Sequence, residues 1–129
     1  MRKIFVNGTF DIIHRGHLEL LNYARSKGDS LTVAIDSDRR VKSLKGEDRP
    51  INNACDRSFL LSNLKAVDEV VIFNSDLDLI DLVRNHHLMV KGSDYKDKPI
   101  IGEDFINIIF YNIVDGYSTT KTIQNIINR

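Results

Sequence analysis

At 129 residues the chain is long enough to bury one core and too short for two independent ones, so a single domain spanning 1–129 is expected. Its 18 Lys and Arg balance 18 Asp and Glu, leaving no global field to gather nucleic acid or an anionic membrane, and neither is expected as a partner. The single cysteine, Cys55, excludes an internal disulfide and leaves a thiolate metal site without its usual ligands.

Residues 3–6 form a short apolar run that ends at Asn7-Gly8 and reads as a buried strand. The run is far too short for a signal segment or a membrane span, so a soluble, cytoplasmic protein is expected. Leu18, Leu20, Leu21 and Ala24 then recur at helical spacing, with Lys27-Gly28 closing the helix. A second strand over residues 31–35 ends at Asp36-Ser37-Asp38, completing a strand, helix and strand of βαβ length. Residues 38–52, rich in Lys and Arg, are expected to be a loop. After it the pattern predicts a helix over 53–64, a strand over 69–73, a helix over 77–85 and a strand over 88–91. A second loop over 92–102 leads to a strand over 106–111 and a terminal helix from Ser118. Such alternation specifies an α/β fold: a Rossmann-like parallel five-stranded sheet with helices on both faces. Both loops leave the carboxyl ends of strands, where ligands of open α/β sheets bind, so they are expected to wall the site.

The chemistry-bearing segment is Asn7-Gly8-Thr9-Phe10-Asp11-Ile12-Ile13-His14-Arg15-Gly16-His17. Gly8 lets the backbone leave the strand tightly, and the amides that follow are free to face an anion. His14 and His17 are three apart, which puts them on one face of a first helical turn, where free amides and the dipole favour phosphate. Gly16 removes a side chain that would obstruct a ligand, and Thr9 adds a hydroxyl. A zinc site would need further ligands; Cys55, His86 and His87 are remote in sequence, and the last two suit a helix C-terminus. No direct metal ligand is expected.

Gly8-Thr9-Phe10-Asp11, His14 and Gly16-His17 resemble the GTFDxxHxGH signature of the cytidylyltransferase-like nucleotidyltransferase superfamily. The resemblance continues through Leu44-Lys45-Gly46 with Arg49-Pro50, Asp56-Arg57, Ala66-Val67-Asp68-Glu69-Val70-Val71, Val90-Lys91-Gly92 with Asp94-Tyr95, and Asp115-Gly116 with Ser118-Thr119-Thr120. These ordered blocks look like the adenylyltransferase domain of the bacterial heptose enzymes, which make ADP-heptose from heptose 1-phosphate. The resemblance implies transfer of a nucleoside monophosphate, AMP from ATP, to a phosphorylated sugar or polyol, with Mg²⁺ entering on the triphosphate and with a homodimer as the assembly. It implies that His14 and His17 contact the reacting phosphates and that Thr9 seats the α-phosphate. Lys42 or Lys45, on the basic loop, would close over the triphosphate, and Arg57 would reach a substrate. Gly8, Phe10, Asp11 and Gly16 shape the nucleotide site, although Asp11 equally suits a local Asx turn. Lys91, Gly92 and Asp94 face the base or the acceptor. Asp115, Gly116, Ser118, Thr119 and Thr120 precede or open the last helix, where hydroxyls cap amides and a phosphate can bind.

A sister group, the glycerol-3-phosphate cytidylyltransferases, shares the histidine motif and the closing Ser-Thr-Thr. Its pattern has an Arg implicated in holding CTP where this chain has Ile113, which favours ATP; the short stretch between Asp94 and Ser118 resembles that group instead. A CTP-dependent enzyme and a non-catalytic nucleotide-binding module are therefore the two rival readings.

Overall fold

A computed structural model of the chain describes residues 1–112 and 119–128. The order is β1 (Lys3–Gly8), α1 (Arg15–Arg25), β2 (Ser30–Asp36), α2 (Asp38–Lys45), α3 (Ala54–Ser62), β3 (Glu69–Phe73), α4 (Asp76–Arg84), β4 (Leu88–Gly92), β5 (Asn107–Tyr111) and α5 (Thr119–Ile127). The five strands form one parallel sheet in the order β3-β2-β1-β4-β5. The α/β, Rossmann-like architecture expected from the alternation is the one found. No described helix is long and apolar enough to cross a membrane.

Period-two alternation in the strands divides the core in two. Ile4, Val6, Val33, Ile35, Leu88 and Val90 pack with Leu21 and Ala24 of α1 and Leu61 of α3 on one face. Phe5, Ala34 and Met89 point the other way and pack with Leu79 and Val83 of α4. Both faces are covered, which is why these strands read as continuous apolar runs rather than alternating ones.

The chain reverses direction of winding between β1 and β4, so the topological switch point lies there. The register shows how the crevice opens. Strand β1 pairs with β2 along its whole length, from Lys3↔Ser30 to Gly8↔Ile35. With β4 it pairs only at Ile4↔Leu88 and Phe5↔Met89. The carboxyl halves of β1 and β4 are thus not laddered to each other.

The loop expected over 38–52 is corrected by the structure: its first part is the helix α2. Ser37 caps it, its side-chain oxygen accepting from the Arg40 amide, Asp38 sits in the first turn, and Lys42 and Lys45 sit in the last. Val41 is its one buried residue, so its apolar stripe is too thin to register as helical periodicity. Gly46, at φ +105°, ends it.

Candidate active site

A cleft of about 310 Å³ lies over the carboxyl ends of β1 and β4, walled by the loop after β1, the start of α1, the end of α2 and the turn after β4. Of the residues singled out by the sequence, it brings together Gly8, Thr9, Phe10, His14, Gly16, His17, Lys45, Lys91, Gly92, Asp94 and Thr120.

The histidines hold the start of α1 as well as facing the cleft. His14 is the N-cap in extended conformation, one residue outside the helix rather than in its first turn. Its Nδ1 accepts from the Gly16 amide at 3.1 Å, and the His14 amide donates to His17 Nδ1 at 3.2 Å. This is a capping box in which two imidazoles replace the usual hydroxyl and carboxylate. Because both Nδ1 atoms accept, the neutral rings must carry their protons on Nε2. The rings stack at 3.8 Å between centroids, 18° from parallel. Burial, then the neighbouring His14 and Lys45, push the His17 imidazole down to about 4, and burial lowers His14 too. Near neutral pH the pair therefore offers two uncharged N–H donors beside the positive end of a helix dipole.

Phe10 sets the position of His17. Its backbone is at φ +51°, a conformation that costs energy in a non-glycine residue, and its buried ring lies 4.9 Å from the His17 ring. A Cβ on Gly8 would sit 3.0 Å from that ring, a contact tight enough that the ring would have to shift, so Gly8 makes room for this approach. The Thr9 hydroxyl donates to Asp36 at 3.2 Å, and the same carboxylate accepts from Arg40 Nε at 2.8 Å.

Two candidates occupy positions unlike those expected. Arg57 does not reach the cleft: it is fully buried, and its guanidinium donates to the carbonyls of Asn52, Thr9 and Asp36 and to the Asp38 carboxylate. With its donors committed to backbone and to Asp38, it joins the histidine loop to the end of β2 and the start of α2, and is a positioning residue. Asp11 is 1% exposed and does not line the cleft. Its oxygens accept from the amides of Ile51 and Asn52, each at 2.8 Å, and from Arg49 Nε at 3.2 Å. The sequence suggests a nucleotide contact or a local Asx turn, because proximity along the chain is visible there and partners some forty residues away are not.

Lys42 is exposed on α2 and does not line the cleft, whereas Lys45, one turn on, does. Lys91 is 8% exposed, and its ammonium lies 4.7 Å from the centroid of the Tyr95 ring. Burial holds it down to about 8, with Asp36 and Asp94 pulling the other way. Thr120 of α5 reaches the cleft, while Asp115, Gly116, Ser118 and the Thr119 side chain, like Ile113, lie outside the described residues. Asn7, Arg49 and Tyr95 also line the cleft, and Asp36 stands beneath it; sequence reasoning passes over all four as site residues. Asn7 Oδ1 and Arg49 Nη2 are buried without a hydrogen-bond partner among the described residues, the kind of polar atom a ligand satisfies. Asn7, Arg49 and Tyr95 belong to the motif blocks, so their signal is present in the sequence; Asp36 has none beyond its place at a strand end.

Among known proteins, the family model described as cytidylyltransferase-like matches residues 5–126. The bifunctional protein HldE of Aliarcobacter butzleri is 47% identical over 126 residues, 95% of this chain and 26% of that protein. That of Sulfurimonas denitrificans is 48% identical over 128 residues, 97% of this chain and 27% of that protein. The chain thus spans about a quarter of the length of these curated relatives. Among solved structures, a lipopolysaccharide core biosynthesis protein from Thermoplasma volcanium superposes with a TM-score of 0.73 at 24% identity, covering 89% of this chain and 99% of that one. Pantothenate synthetase from Thermus thermophilus superposes at 0.62 and 13% identity, covering 88% of this chain and 56% of that one. At these identities the superpositions speak for the fold.

Proposed function

Because the chain belongs to the cytidylyltransferase-like family, we propose that it transfers AMP from ATP to a sugar phosphate, heptose 1-phosphate first among candidates, and releases pyrophosphate. The observation that carries this reading is the stacked His14–His17 pair, whose Nδ1 atoms are both committed to the cap of α1, so that the donor of each ring is its Nε2–H. A phosphate monoester is already ionised near neutral pH, so its attack on the α-phosphorus needs no strong base. It needs alignment and stabilisation of charge. Imidazoles held neutral by burial make weak bases but good fixed donors to the equatorial oxygens of the transferring phosphoryl group. The amides at the start of α1, with Thr120 at the start of α5, extend the same field.

Mg²⁺ bound to the triphosphate would neutralise part of its charge. Among the described residues no three carboxylate, histidine or cysteine groups converge, a donor set that suits an ion held chiefly by phosphate oxygens and water.

The heptose acceptor is supported by the ordered blocks shared with bacterial heptose adenylyltransferase domains and by the identity to the HldE proteins across nearly the whole chain. Ile113, in place of the arginine of the cytidylyl pattern, supports ATP. The family resemblance also supports a cytoplasmic homodimer. The decisive experiment is pyrophosphate release with ATP and CTP against a panel of sugar and polyol phosphates. ATP with heptose 1-phosphate should give the highest kcat/KM. A preference for CTP of tenfold or more, about 1.4 kcal/mol of transition-state binding, would overturn the adenylyl assignment, and triphosphate binding without turnover of any acceptor would overturn transfer itself.

A further inference from the structure

Thr9 lines the cleft with a hydroxyl whose proton is already committed. Its Oγ1 lies 3.2 Å from Asp36 Oδ2, and a carboxylate paired with a guanidinium only accepts, so the hydroxyl is the donor. The guanidinium is that of Arg40, whose Nε donates to Asp36 Oδ1 at 2.8 Å. Arg40 is braced in turn, its Nη2 donating to Asp76 at 2.8 Å and its guanidinium lying 5.1 Å from the centroid of the Phe73 ring. The backbone fixes the same pair: Arg57 Nη1 donates to the carbonyls of both Thr9 and Asp36, each at 2.9 Å.

A threonine hydroxyl has one proton and two lone pairs. With the proton on Asp36, Thr9 has only acceptor capacity left for the cleft, whereas an ionised phosphate oxygen has no hydrogen to give. Thr9 is therefore ill suited to the α-phosphate, the contact that the family resemblance implies for it. Charge points the same way, because the carboxylate behind the hydroxyl repels an anion and tolerates a neutral group. What suits Thr9 is the hydroxyl of a sugar. Both substrates carry such groups, at different distances from the reacting phosphates. In a sugar 1-phosphate the C2 hydroxyl is on the carbon next to the one that bears the phosphate; in a nucleoside 5′-triphosphate the ribose hydroxyls are farther along the chain. Thr9 adjoins Phe10, whose ring packs on His17, so the nearer hydroxyl is the one within its range.

We propose that Asp36 is a positioning residue that sets acceptor specificity: it takes the Thr9 proton, so that Thr9 accepts a hydrogen bond from the C2 hydroxyl of the acceptor sugar. The inference rests on the transfer reading above and deepens it, adding a neutral contact that selects the acceptor by its hydroxyl rather than by its phosphate.

The test uses the whole chain with ATP, heptose 1-phosphate and its 2-deoxy analogue, with circular dichroism to confirm folding. Asp36→Asn is the sharpest variant. Arg40 Nε still requires an oxygen, so the amide nitrogen takes the place of Oδ2, donates to Thr9 and turns the hydroxyl proton towards the cleft. The wild type should lose about tenfold in kcat/KM on the 2-deoxy sugar, chiefly through KM. Asp36→Asn and Thr9→Val should each start about tenfold lower on the full sugar and lose less than about twofold more on the 2-deoxy one, while Thr9→Ser follows the wild type. KM for ATP should stay within about twofold throughout. A purely structural role would slow both sugars alike and keep the preference for the hydroxyl. Full discrimination in either folded variant, Asp36→Asn or Thr9→Val, would therefore overturn the proposal. So would a discrimination that appears between ATP and its 2′-deoxy or 3′-deoxy analogues instead, with wild-type turnover leaving the transfer reading standing. A wild-type chain that binds ATP and turns over no sugar phosphate would take down both.

Discussion

His14 and His17 cap α1 and, in the proposed reaction, donate to the transferring phosphate, and substitutions can separate the two. Alanine at either position would remove the imidazole and the cap together, at about 0.5–2 kcal/mol for the cap alone. Asn at position 14 and Gln at position 17 are residues that capping boxes accept, so His14→Asn and His17→Gln should keep α1 and the melting temperature while lowering kcat at least about a hundredfold. Near-normal turnover in a folded His17→Gln protein would sink the donor mechanism. The same residue makes a pH prediction. The His17 imidazole is pushed down to about 4 in the folded chain against an ordinary 6.5. Between those values the unfolded chain takes up a proton that the folded chain refuses. Stability is therefore whole above about pH 6.5 and falls as pH drops towards 4. Urea unfolding at pH 7 and pH 5 should show a smaller loss for His17→Gln than for the wild type; equal losses would mean that the ring titrates normally in the fold.

At the scale of elements, the histidine loop keeps its shape through Asp11 and Arg57, which do not line the cleft. Asp11 has both carboxylate oxygens occupied by donors from residues 49–52, and an amide in its place would turn an N–H towards one of them. Asp11→Asn should cost about 2–4 kcal/mol in urea unfolding. A change under about 0.5 kcal/mol would show that the clamp contributes little. The motif is legible in the sequence because its spacing is local: strand end, glycine and two histidines three apart. What Asp11 and Arg57 do is illegible there because their partners stand far along the chain, Asp11 with Asn52 and Arg57 with Thr9. Helix α2 escapes notice for a different reason, a single buried valine on an otherwise polar segment. The central strands β1, β2 and β4 are easy to read because both of their faces are buried, and their short length, the turn residues that bound them and their β-branched residues decide for strand over helix.

For the whole molecule, four exposed apolar residues lie on elements at the β3 edge of the sheet. Phe59 and Leu60 of α3, Ile72 of β3 and Leu77 at the start of α4 are 44–74% exposed. Pairing with a second copy would cover them, and a two-fold dimer is the commonest way to do so. Light scattering should give twice the chain mass at micromolar concentration, and Phe59→Lys should shift it towards the monomer. A monomer mass for the wild type would contradict the dimer.

The short ladder between β1 and β4 has a mechanical consequence. Where those strands part, the sheet has a seam, with Asn7 and Gly8 on one bank and Val90 to Gly92 on the other, each bank bonded to its outer neighbour but not across. Flexing about the Phe5–Met89 pair would widen or narrow the gap without breaking a bond of the short β1–β4 ladder. A nucleotide lying over both banks, as the proposed function requires, would act as a strap. Amide exchange at Asn7, Gly8 and Val90 to Gly92 should then slow on binding of ATP by more than exchange within the β2–β3 ladder, where no crevice opens. Uniform slowing across the sheet would mean that the halves already move as one body, and that the reacting groups meet by diffusion of the substrates alone.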